Sequence, residues 1–129
     1  MDKELLVKSG QQLITLLDGT EIAPDFAMWV LNSEHNNWKL WIVPSDLKVD
    51  KKLFYGVISR IISENFEQLN GMEVSAIELV DRKNPAVKAL GQFIHMDGLG
   101  SAHFGNNSFN GFYLPDGIIL RSRHASVAA

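Results

Sequence analysis

Apolar residues fill most of residues 26–43, on either side of a polar break at residues 32–37. Many of these apolar residues are β-branched or aromatic types that favour strands, and they include all three tryptophans of the chain. The break is rich in Asn and Ser, whose side chains bond to the nearby backbone in turns. The pattern predicts a β-hairpin, and because its loop is long we expect the two strands to extend inward and shorten it.

Both faces of this predicted hairpin are apolar. Successive side chains of a strand point to opposite faces, so Ala27, Trp29 and Leu31 share one face and Phe26, Met28 and Val30 share the other. On the second strand, Lys39, Trp41 and Val43 share one face and Trp38, Leu40 and Ile42 the other. A sheet with one face in water alternates apolar and polar residues, which this hairpin does not do.

The hairpin therefore needs two covers, and the second comes either from the rest of the chain or from a partner. Tryptophan is enriched at protein interfaces because its side chain is large and amphipathic. The sequence predicts that a homodimer contact or another protein covers a face that includes Trp29 or Trp41. The alternative is that both tryptophans belong to the core of the chain itself.

Two stretches have the apolar spacing of an amphipathic helix. Residues 2–18 have Asp2 as the N-cap and Gly19 as the stop. Within them, Gly10 costs about 1 kcal/mol against alanine and indicates close packing. Residues 51–68 follow an Asp50 N-cap and carry a continuous apolar stripe, which consists of Leu53, Phe54, Val57, Ile58, Ile61 and Ile62.

Shorter elements follow in the second half of the chain. Residues 73–80 have the composition of a strand. Asn84 and Pro85, a cap followed by a first-turn proline, predict the start of a short helix.

Glycine-rich turns divide the C-terminal third. Asn110-Gly111 predicts a tight hairpin turn, and Pro115-Asp116-Gly117 predicts a second turn. Short strands at residues 102–104, 112–114 and 118–121 lie around these turns. We expect residues 123–129 to be a loose tail.

The order of elements predicts an α+β fold. Its antiparallel or mixed sheet contains the central hairpin 26–43, the strand 73–80 and the C-terminal short strands, with two main helices packed on it. A parallel doubly wound fold needs strands that alternate with helices throughout, and the opening hairpin breaks that pattern. At 129 residues the chain has the length of a single domain, 1–129.

Composition narrows the range of partners. The formal net charge of −3 argues against a nucleic-acid surface. No run approaches the roughly 18 apolar residues that a membrane helix needs. The chain has no cysteine, which removes disulfides, thiolate nucleophiles and cysteine metal sites, and suits the cytoplasm.

One glycine-rich stretch, residues 95–103, holds the candidate chemistry. His95, Asp97 and His103 are residue types that bind zinc, which needs three protein ligands and an open position at a catalytic site. Ser101 as nucleophile with a histidine base and Asp97 as orienter is the hydrolase alternative. The spacing matches no strong metal signature, and the glycines flanking Ser101 lack the nucleophile-elbow offsets. We therefore expect no cofactor and no resident metal.

The sequence thus predicts a small non-enzymatic interaction module that self-associates or binds a protein partner. The alternative is a small metal-dependent or Ser/His hydrolase that uses the loop from His95 to His103.

Overall fold

The computed structural model describes residues 2–32, 37–96, 98–109 and 112–123, with the backbone alone for residues 32, 106–109 and 112–115. These residues form three α-helices and a five-stranded mixed sheet, which confirms the predicted α+β class. The elements are α1 Lys3–Leu17, β1 Pro24–Asn32, β2 Asn37–Pro44, α2 Lys51–Glu64, β3 Ile77–Leu79, α3 Pro85–Phe93, β4 Ala102–Phe109 and β5 Phe112–Ser122.

The sheet has the strand order β3-β2-β1-β5-β4. The pair β2–β3 is parallel, and the pairs β1–β2, β1–β5 and β4–β5 are antiparallel. The opening hairpin thus lies inside the sheet, between the short β3 on one side and the β4–β5 hairpin on the other. Its strands extend inward as predicted, because Asn32 pairs with Asn37.

Local capping fixes where the helices begin. The Asp2 carboxylate accepts from the Glu4 backbone N–H at 3.1 Å, and the Asp50 carboxylate accepts from Leu53 N–H at 2.9 Å. Asn84 does the same for Ala86 N–H at 2.9 Å, ahead of α3. These are the predicted N-caps, each of which satisfies a backbone donor that the first turn leaves without a helical partner.

α2 ends earlier than the predicted residue 68. Asn65 leaves the helical conformation, at φ −129°, while its side-chain amide donates to the Ile61 carbonyl at 2.9 Å. The apolar stripe ends at Ile62, so the turns that follow have little reason to continue the helix.

Each face of the sheet carries its own apolar core. The first core joins one face of the hairpin to α1 and α2, with Leu13, Ile14, Trp29, Leu40, Phe54 and Ile58 among its members. The second core joins the other face to α3, with Phe26, Met28, Trp41, Val87, Leu90 and Ile119 among its members. The alternation predicted for the hairpin is confirmed for its buried residues, which divide between the two cores as expected.

Two predicted elements are wrong in detail. The strand at 73–80 is a 3₁₀ turn at Val74–Ala76 followed by the three residues of β3. The predicted turn at Pro115-Asp116-Gly117 lies inside β5, so the C-terminal strands are two long ones. Proline is tolerated there because β1 pairs with β5 only as far as Gly117, which leaves Pro115 beyond the β1 edge.

The loose tail predicted for residues 123–129 does not include Arg123, which is held against the sheet. Ser122 belongs to β5 and is buried, and the Arg123 backbone N–H donates to the Asp25 carbonyl at 2.8 Å. Residues 124–129 lie outside the described part of the chain. Among the described helices, none is long and apolar enough to cross a membrane.

Candidate binding cleft

Trp29, which the sequence offered as a partner contact, is buried in the first core at 3% exposure. Its indole N–H donates to the Leu6 carbonyl of α1 at 2.7 Å. Helix α1 comes this close because Gly10 has no side chain to hold it away. The aromatic ring and its one polar atom are both satisfied within the chain, as a buried tryptophan requires.

Trp41 is buried in the second core at 8% exposure. The cover over it comes from α3, through Val87 and Leu90, from Met96 ahead of β4, and from Phe104 of β4. The sequence argument left this cover either to the rest of the chain or to a partner. Because the chain supplies both covers itself, the fold does not require a partner at Trp29 or Trp41, and a partner contact at either residue stays a prediction.

Trp38, the remaining tryptophan, is half-buried at the start of β2 and packs against the edge of the first core. It lines a cleft of about 390 Å³ at the end of the sheet. The other walls come from α1, from β1, from the segment after α2 and from the 3₁₀ turn; they include Leu5, Leu6, Ser9, Trp29, Leu69, Asn70, Met72 and Ala76. Most of this lining is apolar.

Specific hydrogen bonds hold the walls of the cleft. Asn70, in the left-handed region at φ 54°, donates from its side-chain amide to the Ser9 hydroxyl at 2.8 Å and so joins the post-α2 segment to α1. Gly71 follows at φ 75°, a conformation that glycine adopts at no steric cost. Lys39 Nζ donates to the Ser75 carbonyl at 2.5 Å and joins β2 to the 3₁₀ turn. The cleft is therefore built into the fold.

The chemistry of the cleft is that of binding. Apolar walls with a small number of polar side chains at the rim are the usual composition of a ligand or side-chain pocket. Ser9 and Asn70 are hydrogen-bonded to each other, and the other polar lining residues are Asn37, Lys39, Glu73 and Ser75. Sequence reasoning missed this site because its walls come from several separate segments. The one local signal was the Asn70-Gly71 turn, a few residues after α2.

The described residues of the stretch from His95 to His103 do not form a compact ligand cluster. Ser101 and His103 are exposed and line one shallow groove of about 280 Å³ with Lys3 and Lys8 of α1. Met96, next to His95, pairs with Ser122 of β5, whereas His103 pairs with Ile118. Ser122 and Ile118 lie four residues apart along β5, so about 13 Å of strand separates the positions of Met96 and His103.

Asp97, the third candidate of that stretch, lies outside the described residues. Within the part of the chain that the structure describes, no group of three or more His, Asp or Glu side chains is placed to hold a metal ion. The metal and hydrolase readings of His95, Asp97, Ser101 and His103 therefore stay predictions.

Buried charge in the described residues has a structural role. Arg121 is 3% exposed and makes a two-pronged contact with the Asp18 carboxylate, at 2.6 and 3.0 Å. Asp18 is the residue after the last turn of α1, so this pair fastens the end of the helix to β5. Neither residue lines the cleft.

Comparisons of the chain with protein-family models, with curated proteins and with solved structures find no significant match.

Proposed function

We propose that this protein is a non-enzymatic protein-binding module and that its cleft receives an apolar side chain of a protein partner. The observation that carries the proposal is the half-buried Trp38 in a cleft whose walls are mostly apolar. A large aromatic surface left partly in water gains stability when another apolar group covers it. Tryptophan is also among the residues that contribute most to protein–protein affinity.

The form of the cleft supports a side chain as its occupant. Ligand pockets span roughly 300 to 1,000 Å³, and this cleft of about 390 Å³ is at the small end of that range. Its rim carries one positive and one negative residue, Lys39 and Glu73, beside the amide of Asn37. An apolar centre inside a polar rim is the anatomy of a protein interface, where the rim excludes water from the anchor.

The composition of the chain bears on the cellular compartment. The cysteine-free sequence suits a reducing environment, and the cytoplasm is the compartment in which we propose that the module works.

A displayed library of random peptides tests the binding proposal. Peptides selected on the wild-type protein are expected to share one apolar anchor position. Their affinity should fall about tenfold or more on Trp38→Ala, because the anchor loses its aromatic wall. Ser75→Trp should block binding as well, because Ser75 is exposed at the rim and a bulky group there narrows the mouth without touching the core.

Phe93→Ala is the matched control. Phe93 is 81% exposed on α3, away from the cleft, so its loss should leave peptide affinity unchanged. Circular dichroism and thermal melting of each variant separate lost binding from lost folding. Peptides that lack a shared apolar position, or that bind Trp38→Ala and Ser75→Trp as well as wild type, contradict the proposal.

A further inference from the structure

The two ends of the sheet differ in what they offer to another strand. β3 ends one side and has three residues, Ile77–Leu79. β4 ends the other side and has eight residues, Ala102–Phe109, with β5 as its one strand neighbour in the described sheet. A long edge strand presents a row of backbone donors and acceptors along its outer side.

The strand β4 itself carries few of the features by which proteins protect such an edge. Its eight residues contain no Lys, Arg, Asp, Glu or Pro. Its pairing with β5 runs from Ala102–Ile119 to Phe109–Phe112 without a register shift, whereas both pairings of β1 contain one. Charge, proline, bulges and shortness are the usual devices against edge-to-edge pairing, and β4 itself lacks these four.

The outer half of the β4–β5 hairpin also extends past the residues that pair with β1. β1 pairs with β5 as far as Val30–Gly117, but β4 continues to pair with β5 as far as Phe109–Phe112. Beyond Gly117 the described sheet therefore narrows to two strands. A two-stranded ribbon is marginally stable in water, and a third strand stabilises it.

We propose that β4 pairs antiparallel with β4 of a second copy of this chain, joining two five-stranded sheets into one across a twofold axis. A twofold contact uses the same patch on both copies, so that patch must be self-complementary. The strand carries no formal charge, so antiparallel self-pairing sets no like charges against each other. This surface replaces the faces of Trp29 and Trp41 as the site of self-association.

The groove beside β4 favours a second copy as the occupant. Its α1 wall carries both signs, with Lys8 next to Glu4, while Lys3 is already paired with Asp116 of β5 at 3.0 Å. A twofold axis perpendicular to the joined sheet puts both α1 helices on the same face, where residues of opposite sign from the two copies can be set against each other. The cleft at Trp38 is lined by β1, β2, the post-α2 segment, the 3₁₀ turn and α1 residues other than those of this groove. It has no wall from β4, so the two surfaces are separate.

Single cysteines report this pairing directly, because the natural chain has none. One cysteine is placed in turn at each position from 102 to 108, and each variant is oxidised and run without reductant. Directly opposed residues of an antiparallel pair have Cβ atoms about 4.5–5.5 Å apart, close to the reach of a disulfide. Covalent dimer should form about tenfold faster at the position nearest the twofold axis than in His95→Cys, an exposed control outside the strands.

Light scattering supplies the second measurement, and the wild-type protein should have the mass of a dimer at about 100 µM. His103→Glu, which puts a charge on the edge, should raise the dissociation constant about tenfold, and His95→Glu should leave it unchanged. Circular dichroism confirms that both variants fold. A monomer at that concentration, or a dimer that β4 cysteines do not cross-link faster than His95→Cys, overturns the proposal. Either result leaves peptide binding at the Trp38 cleft unaffected.

Discussion

The indole of Trp29 lies where a side chain at position 10 would have to go. A Cβ added to Gly10 would be 2.7 Å from Trp29 Nε1 and 2.5 Å from Leu120 Cδ1. The same indole N–H donates to the Leu6 carbonyl, one turn earlier in α1. The glycine that weakens the helix is therefore what lets α1 lie close against the sheet, as the sequence indicated.

Gly10→Ala is expected to lower the free energy of unfolding by about 1 to 3 kcal/mol, because the added methyl group overpacks this contact. Gly56→Ala is the matched control in α2, where an added Cβ meets nothing within 4 Å. There the better helix propensity of alanine should raise the free energy of unfolding by roughly 0.5 to 1 kcal/mol. Urea unfolding measures both, and equal effects at the two glycines would contradict the close contact.

Gly117 and Phe104 form a second such pair, directly opposite each other on β5 and β4. The Phe104 ring lies over Gly117, so that a Cβ there would collide with it. Gly117→Ala should destabilise the wild type but be neutral or stabilising in a Phe104→Ala background. A double-mutant cycle should give a coupling energy of about 0.5 to 3 kcal/mol, whereas additive effects would mean that the ring and the glycine are independent.

Ile58 tests the inner face of α2. It is fully buried in the first core, as predicted from the helical stripe. Ile58→Ala should cost about 2 to 5 kcal/mol, through lost apolar burial and the cavity that remains. The exposed neighbour Ser59, changed to alanine, should shift stability by no more than about 0.5 kcal/mol. A loss that small at Ile58 would place the buried face of α2 elsewhere.

A substitution at Trp41 tests whether this residue is part of the core or a partner contact. Trp41→Glu removes a buried indole and puts a carboxylate into the second core, so it should cost at least the roughly 3 to 5 kcal/mol of a buried tryptophan. Leu47→Glu, at a residue 77% exposed, should leave stability within about 0.5 kcal/mol of wild type. Thermal melting and light scattering read out both variants. A stable, monomeric Trp41→Glu protein from a dimeric wild type would restore Trp41 as a partner contact.

The ion pair of Asp18 with Arg121 should respond to loss of its charge. Asp18→Asn leaves the buried guanidinium without a counter-charge and should cost about 1 to 3 kcal/mol in urea unfolding. Adding Arg121→Met should recover part of the loss, because the double variant has no buried charge. Glu21→Gln, an exposed change of the same kind, is the control. Full additivity of the two substitutions would show that the pair does not interact.

The sequence by itself determined the helix starts, the opening hairpin and the division of its residues between two faces. Each of these depends on neighbours in the chain. Asp2, Asp50 and Asn84 each accept from a backbone N–H two or three residues away. The alternation of side chains along a strand is likewise a local property of the backbone.

The tertiary structure alone decided what happens to the turn residues and the tryptophans. Pro115-Asp116-Gly117 has the composition of a turn, yet pairing with β4 keeps it extended. Trp29 and Trp41 are core because α1 and α3, distant in sequence, supply the covers. The cleft at Trp38 and the uncharged edge at β4 exist only once segments dozens of residues apart meet. Non-local contacts of this kind leave no periodic trace in the sequence, because each wall looks like an ordinary strand, helix or turn on its own.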